Sequence, residues 1–189
     1  MRIITGSARG AKLLAPQGVE NTRPTSDMTK EAVFSMIQFE IEGRRVLDLF
    51  AGSGQMGLEA LSRGAEKADF VDSSQEAVEV IKANAKKTRL YERCNILCAD
   101  YKRFLKMKGG LKYDLVFIDP PYYDSEKIDD ALSLLLEGDM LEDGAFVFCE
   151  SQRKEPFSAP GLTLRRHSRY GKAYITLLFK EAAAELPEA

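Results

Sequence analysis

The sequence predicts an α/β domain with a doubly wound, mostly parallel sheet of seven strands, the last two forming an antiparallel hairpin. From residue 45 onward, short apolar or β-branched runs alternate with longer amphipathic stretches, which is the pattern of repeated strand and helix units. The chain has 189 residues, 44% of them hydrophobic, which is enough for one compact domain. The first 45 residues do not follow this alternation and are predicted to form an extension.

Each strand is predicted from a short apolar run, and each helix from apolar residues at helical spacing. We expect strands at 45–50, 69–72, 95–100, 113–119 and 144–150, and a hairpin of 162–170 with 172–180 that turns at Gly171. Helices are expected at 57–64, after the capping residues Ser73 and Ser74, at 101–107 and at 126–137. The extension is predicted to contain a hairpin that turns between Gly6 and Gly10 and a helix at 28–37. The predicted divisions are the extension 1–41, the main domain 42–180 and a frayed tail 181–189.

The charges exclude a uniformly basic nucleic-acid binder, since 27 Lys and Arg stand against 29 Asp and Glu. The near-zero net charge nevertheless combines segments rich in basic residues with segments rich in acidic residues. Residues 82–112 carry ten basic and two acidic side chains, 153–172 carry six and one, and 1–30 carry five and two, whereas 114–150 carry one Lys and eleven acids. An RNA substrate therefore remains open if the fold gathers the basic blocks around a site, although 82–112 could equally be a solvated face.

The three cysteines, Cys94, Cys98 and Cys149, form no disulfide framework, which favours a reducing, cytoplasmic compartment. With the single histidine, His167, they are too few for a metal site, so we expect no metal. No signal peptide and no membrane-spanning apolar run are recognised.

A glycine-rich segment, GSGQMG at 52–57, follows the first predicted strand. It matches the pattern G-x-G-x-x-G, and Asp72 follows Gly52 at the distance typical of a dinucleotide-binding fingerprint. Taken alone, the pattern favours a dinucleotide-dependent oxidoreductase.

Four aspartates lie at the carboxyl ends of successive predicted strands, and ligands of doubly wound sheets bind at those ends. They are Asp48, Asp72, Asp100 and Asp119. Converging carboxylates disfavour a pyrophosphate and favour a cofactor with positive charge and hydroxyl groups. S-adenosylmethionine meets this demand, and Gly52 and Gly54 would let the backbone approach its methionine part. The alternative for any single aspartate is that it caps a helix or a turn.

The string Asp119-Pro120-Pro121-Tyr122 follows the fourth predicted strand. The Asp119 carboxylate and the Pro120 carbonyl can accept both hydrogens of an exocyclic base amine, so that its lone pair points at a sulfonium methyl group. Proline donates no hydrogen bond, which keeps the carbonyl groups of this turn free, and Tyr122 could stack on the base. The alternative is a polar strand end followed by a proline turn with a surface tyrosine.

The chain resembles the RsmD-type 16S rRNA (guanine-N2)-methyltransferases along nearly its whole length. The resemblance is carried by RIITGSARGAKL, TRPTSDMTKEAVF, DLFAGSGQMGLEALSRGA, FVD, FIDPPYY and RYGKAYITLLF. It implies a class I S-adenosylmethionine-dependent methyltransferase fold, S-adenosylhomocysteine as the product, and 16S rRNA in the small ribosomal subunit or an assembly intermediate as the partner. We expect a monomer.

The resemblance also implies roles for individual residues. Asp48 and the Gly52–Gly54 turn would hold the methionine part of the cofactor, Asp72 its ribose, and Asp100 with Tyr101 its adenine. Phe50, Ala51 and Ser73 complete the predicted cofactor-binding set. The target guanine would meet Asp119, Pro120, Pro121 and Tyr122, and the extension would act as a substrate arm through Arg9, Lys12, Arg23 and Lys30. Family members often carry Glu and then basic residues where this chain has Asp72, Ser73 and Ser74.

Three other functions remain open at this point. An oxidoreductase leaves the Asp119–Tyr122 string unexplained, and a non-catalytic RNA-binding protein does not need that string intact. An adenine-N6 methyltransferase is the closest alternative, because the same acceptor groups serve either amine. The choice of guanine N2 rests on the resemblance and not on the pocket residues.

Overall fold

The structure, a computed structural model, describes residues 1–16, 27–107, 110–121 and 124–182. The helices are α1 (Asp27–Met36), α2 (Gln55–Ser62), α3 (Gln75–Lys87), α4 (Tyr101–Met107) and α5 (Ser125–Glu137). The strands are β1 (Arg45–Leu49), β2 (Lys67–Asp72), β3 (Cys94–Cys98), β4 (Tyr113–Ile118), β5 (Leu141–Ser151), β6 (Leu162–Tyr170) and β7 (Ala173–Lys180). The sequence predicted each of these elements to within a few residues.

The seven strands form one sheet in the order β3-β2-β1-β4-β5-β7-β6. Strands β1 to β5 pair in parallel, and β7 runs antiparallel between β5 and β6. The predicted class is confirmed, and the structure adds that the last strand, β7, inserts next to β5 and leaves β6 at the edge. Because β1 to β5 are parallel, their carboxyl ends meet at one edge of the sheet, here called the carboxyl edge.

Helices cover both faces of the sheet. Alternate residues of one strand belong to different hydrophobic clusters, as the pleat requires: Phe117 of β4 packs with α1, α2 and α3, whereas its neighbours Val116 and Ile118 pack with α4 and α5. Within the described ranges, no helix has the length and apolar character needed to span a bilayer.

The N-terminal extension shares the core of the main domain. Ile3 and Leu13 of the hairpin and Phe34 of α1 belong to the same buried cluster as Leu58 and Leu61 of α2. The extension therefore packs on the helical face next to β1. The divisions at residues 41 and 180 stay a prediction.

The predicted N-terminal hairpin is present but short, with one antiparallel bridge between Arg2 and Lys12. A buried carboxylate on α2 holds it in place: the Glu59 oxygens accept hydrogen bonds from the backbone amides of Ile4 and Thr5 at 2.8 and 3.0 Å. Glu59 has no exposed side-chain surface, so its charge must be balanced by donors within the protein.

Lys30 of α1 supplies part of that balance and corrects one prediction. Its ammonium lies 3.2 Å from Glu59, has no exposed surface, and also donates to the carbonyl oxygen of Arg2. Burial lowers the pKa of Lys30, and the Glu59 charge opposes this shift. The expectation that Lys30 contacts the substrate is wrong, because an enclosed ammonium committed to Glu59 cannot reach RNA. Lys30 instead fastens α1 and the hairpin to α2.

Gly6 lets the hairpin lie directly on the end of α2. It adopts φ +87°, and a Cβ atom at this position would lie 1.8 Å from the carbonyl oxygen of Ser62. That carbonyl accepts a hydrogen bond from Ser7 at 2.8 Å, so the approach cannot be relaxed without losing a contact. Gly10 has a similar φ of +83° but nothing within 4 Å of an added Cβ.

Gly6→Ala is therefore expected to destabilise the protein more than the matched control Gly10→Ala. Both substitutions place alanine at positive φ, which costs roughly 1 kcal/mol, but only the first forces the hairpin off α2, for a total of about 3 kcal/mol. Urea unfolding measures the difference, and amide hydrogen exchange at Ile3 reports local detachment. Equal effects of the two substitutions would contradict the described packing.

Candidate active site

The glycine loop after β1 is held by two aspartates at the carboxyl edge. Asp48 of β1 accepts a hydrogen bond from the amide of Gly57 at 2.9 Å. Asp72, the last residue of β2, accepts from the amides of Gly52 and Ser74 at 2.9 and 2.8 Å. The parallel register of β1 and β2 places these carboxylates on neighbouring strands, and they fix the loop between them.

Asp48 is the most perturbed carboxylate described at this edge. Burial raises its pKa to about 7; the hydrogen bond from Gly57 opposes the shift, and the nearby charge of Asp72 adds to it. Asp48 is 4% exposed, whereas Asp72 is only partly buried. A cationic group bound beside Asp48 would favour its ionised form.

The backbone amides of the three glycines in this segment are already engaged. Gly52 and Gly57 donate to Asp72 and Asp48, and Gly54 donates to the carbonyl of Ala51 at 2.7 Å. A pyrophosphate would need such donors and would also meet two carboxylates. The loop therefore disfavours the dinucleotide interpretation of its glycine pattern. The third glycine, Gly57, has a packing role, because a Cβ atom there would lie 2.4 Å from the Phe70 ring.

Phe50 and Tyr101 form an aromatic wall next to this loop. Phe50 adopts φ +69°, a conformation that is rare for a non-glycine residue and is found at functional sites. Its ring centroid lies 4.9 Å from that of Tyr101, whose hydroxyl donates to Asp130 at 3.1 Å. Ala51 is buried, and its amide donates to the Val71 carbonyl at 3.0 Å.

Asp100 and Ser73 are exposed at the same edge. Asp100 caps α4, since one of its oxygens accepts from the amides of Lys102 and Arg103 at 2.9 and 3.2 Å. Asp100 therefore caps a helix, which was the alternative to cofactor binding for each aspartate. Its second oxygen is not part of these bonds, and contact of Asp100 and Ser73 with a cofactor stays a prediction.

The predicted acceptor string lies directly after β4. Asp119 is partly buried, Pro120 is buried and Pro121 is exposed, whereas Tyr122 lies outside the described residues. Asp119 lines a cavity whose apolar walls come from α1, α2, β4, β5 and β7. The remaining lining residues are Val33, Met56, Phe117, Ile118, Phe148, Glu150 and Ile175.

Of the residues that line this cavity, the sequence predicted only Asp119 as a site residue. Glu150 was recognised only as the end of a strand; that position places it at the carboxyl edge, and the pairing of β4 with β5 places it near Asp119. No local signal marks Val33 or Met56, because their place depends on how α1 and α2 pack over the sheet.

The predicted substrate arm has only part of its residues within the described ranges. Arg9 and Lys12 are exposed, and Arg23 lies outside the described residues. The hairpin tip next to Arg9 contacts Ser62, at the end of α2 farthest from the glycine loop. At 1.5 Å per residue, α2 separates this tip from the loop by about 10 Å. A role for Arg9 and Lys12 in binding RNA stays a prediction.

The two main basic blocks lie at the two outermost strands of the sheet. Residues 82–112 surround β3, the outermost strand at one end of the strand order, and 153–172 include β6, the outermost strand at the other end. Part of the first block is paired on the surface, as in Lys82 with Glu79 and Lys112 with Asp139. The blocks therefore flank the carboxyl edge through α4 and the β6–β7 turn, and are not gathered on one side of it.

Within the part of the chain that the structure describes, no cluster of three or more His, Cys, Asp or Glu side chains could hold a metal ion. Cys94 belongs to β3 at one edge of the sheet, and His167 belongs to β6 at the other. His167 contacts Thr176 and the Lys154 carbonyl at 3.0 and 2.8 Å.

Comparisons with known proteins point to rRNA methyltransferases. The family model described as "Conserved hypothetical protein 95" matches residues 1–179. YlbH of Bacillus subtilis, an rRNA methyltransferase by name, is 38% identical over 95% of this chain and 99% of its own length. The Ribosomal RNA small subunit methyltransferase D of Haemophilus influenzae is 34% identical over 85% of this chain and 83% of its own.

Solved structures agree as well. The Escherichia coli protein yhhF superposes with a TM-score of 0.85 at 31% identity, covering 97% of this chain and 99% of that chain. More distant structures, such as TrmN of Thermus thermophilus at 23% identity and a TM-score of 0.68, share the fold. By its matched length and its identity to these relatives, the chain belongs to the ribosomal RNA small subunit methyltransferase D family, with the class I methyltransferase fold.

Proposed function

We propose that this protein transfers a methyl group from S-adenosylmethionine to the exocyclic N2 amine of a guanine in small-subunit (16S) rRNA. The observation that carries the proposal is the placement of Asp119 and Pro120 at the same sheet edge as the glycine loop held by Asp48 and Asp72. The names of the relatives support rRNA as the substrate class. We propose that the protein acts as a cytoplasmic monomer on the small subunit or an assembly intermediate.

The groups around the glycine loop fit this cofactor. Asp48 is suited to the ammonium group and the outer side of Asp72 to the ribose hydroxyls, since carboxylates accept from both. Phe50 and Tyr101 offer an apolar wall, and Asp100 stands at the neighbouring strand end. When bound, S-adenosylmethionine supplies an electrophilic methyl group on a sulfonium centre.

The acceptor residues prepare the amine for transfer. The lone pair of an exocyclic amine is delocalised into the base, which makes the nitrogen a weak nucleophile. With its two hydrogens accepted by the Asp119 carboxylate and the Pro120 carbonyl, the nitrogen can pyramidalise and direct its lone pair at the methyl carbon. Transfer would form the N–C bond as the C–S bond breaks, leaving the electron pair on sulfur, and the nitrogen would then lose a proton to solvent. We propose that Tyr122 stacks on the base and that Pro121 shapes the turn.

Transfer of labelled methyl groups to small ribosomal subunits from cells lacking this protein tests the proposal. Nucleoside mass spectrometry should find the label in N2-methylguanosine. Label in N6-methyladenosine, or only in isolated DNA, would support the adenine-N6 alternative and contradict the proposal. Binding without transfer would favour a non-catalytic RNA-binding protein.

Asp119→Ala should separate the acceptor role from cofactor binding. Because Asp119 contacts the amine and not the cofactor, we expect kcat to fall by about 100-fold or more with little change in S-adenosylmethionine affinity. Asp72→Ala should show the reverse profile, with the main loss in affinity measured by calorimetry. A similar loss of cofactor binding in both variants would mean that Asp119 is a cofactor ligand or a structural residue.

Cofactor binding should depend on pH through Asp48. Its pKa of about 7 in the free protein means that more of it is ionised as pH rises, and the ionised form attracts the cofactor ammonium. If binding requires the ionised carboxylate and the protonated cofactor amine, whose pKa lies near 7.7 to 8.0, affinity should rise about fivefold to sixfold from about pH 6 to about pH 7.5.

Asp48→Asn is the control, because asparagine can still accept from Gly57 but does not titrate. Calorimetric titrations of this variant should show weaker binding without the rise. An equally steep rise in both proteins would assign the titration to another group.

A further inference from the structure

We propose that Glu150 makes the cavity lined by Asp119, here called the acceptor cavity, select guanine over adenine. Glu150 would accept the hydrogen on guanine N1 while Asp119 and Pro120 hold the N2 amine. The inference rests on the proposed function and goes beyond it, because the Asp119 string serves the amine of either base. It assigns the discrimination to a residue on a different strand.

The sheet places Glu150 next to Asp119. Strands β4 and β5 are parallel, and their paired positions run up to Phe117 with Phe148 and Ile118 with Cys149. Asp119 follows the last residue of β4, Glu150 is the next residue of β5, and neighbouring strands lie about 4.8 Å apart. The pairing thus brings two carboxylates side by side at the carboxyl edge.

The two side chains also line the same cavity. Side chains two residues apart in a strand share a face, so Glu150 lies on the same face of β5 as Phe148; Asp119, one residue beyond β4, lines the cavity together with Phe117. The rings of Phe117 and Phe148 are stacked with centroids 5.7 Å apart, and all four residues line the same cavity. On its other side, Glu150 is paired with Ile175 of β7, which lines the cavity as well. The cavity therefore combines apolar walls with two neighbouring acceptors. Its volume of about 20 Å³ is too small to enclose a base, so only the amine-bearing edge of guanine would meet these acceptors.

Guanine and adenine differ in what they present to such a pair. The Watson–Crick edge of guanine carries the N2 amine beside an N1–H donor, whereas the adenine amine stands beside N1 with a lone pair. A base extruded into an enzyme pocket is recognised by hydrogen bonds to this edge. A carboxylate accepts from the guanine N1–H and repels the adenine N1 lone pair. A carboxylate has about four acceptor positions, so contacts of Glu150 within the protein are compatible with this bond.

The analogue 2-aminopurine tests the proposed bond. It keeps the amine at position 2 but has a lone pair in place of the N1–H. The substrates are small subunits whose rRNA carries guanine or 2-aminopurine at the methylated nucleotide, introduced by ligation. For the unmodified protein we expect kcat/KM to be about 100-fold higher or more for guanine, because the analogue leaves the partly buried carboxylate of Glu150 facing a lone pair.

Glu150→Gln should remove most of this preference. The glutamine amide can accept from the guanine N1–H or, when reversed, donate to N1 of the analogue, so the ratio should fall to within about tenfold of unity. Glu142→Gln is the matched control, since Glu142 is exposed at the opposite end of β5, and it should keep the wild-type ratio. Affinity for S-adenosylmethionine should not change in either variant.

The outcomes separate this inference from the proposed function. If the unmodified protein forms no N2-methylguanosine, the proposed function fails. If it methylates guanine but Glu150→Gln keeps the wild-type ratio, or lowers both rates equally, only the role of Glu150 is overturned. An equal fall in both rates is what a purely structural role would produce.

Discussion

The parallel pairing of β2, β1, β4 and β5 is the constraint on which the site depends. Because these strands run in the same direction, four separate segments of the chain end at one edge. Asp48, Asp72, Asp119 and Glu150 are far apart in sequence and belong to four different strands or strand ends. An antiparallel arrangement of the same strands would send half of these carboxylates to the opposite edge.

Placing so many carboxylates at one edge carries an electrostatic cost, and the structure limits it in a graded way. Asp72 is partly exposed and accepts hydrogen bonds from two backbone amides, which stabilise its charge. Asp48 is buried with one amide, and its raised pKa reflects the remaining cost. The charge that is least tolerated in the free protein is therefore the one placed to gain most from a cationic ligand. The same hydrogen bonds from backbone amides shape the glycine loop. They therefore determine both the geometry of the loop and its preference for a cationic ligand.

A second buried charge serves stability and the acceptor cavity together. Glu59 joins the hairpin, α1 and α2, since it accepts from Ile4, Thr5, Lys30 and Arg63. Val33 of α1 and Met56 of α2 line the cavity next to Asp119. The extension therefore helps to form the acceptor cavity through packing, in addition to any contact that it makes with RNA.

The sequence predicted the strands, the order of the helices and the aspartates at the strand ends, because periodicity and strand-end position are local signals. It predicted Lys30 wrongly, since exposure depends on the partner Glu59, which lies 29 positions away in the chain. It overlooked Glu150 because the pairing of β5 with β4 is what brings that residue near Asp119, and strand pairing is a property of the whole sheet. The insertion of β7 beside β5 was equally invisible, since a hairpin can join a sheet through either strand.

The central claim is that the cofactor loop and the Asp119 acceptor form one continuous site. Calorimetric titration with a bisubstrate analogue, in which S-adenosylhomocysteine is joined through its sulfur position to guanine N2, tests this claim most directly. The analogue should bind about 10-fold more tightly or more than S-adenosylhomocysteine alone, and this gain should be lost in Asp119→Ala. Binding no tighter than that of S-adenosylhomocysteine, or a gain that survives Asp119→Ala, would contradict it.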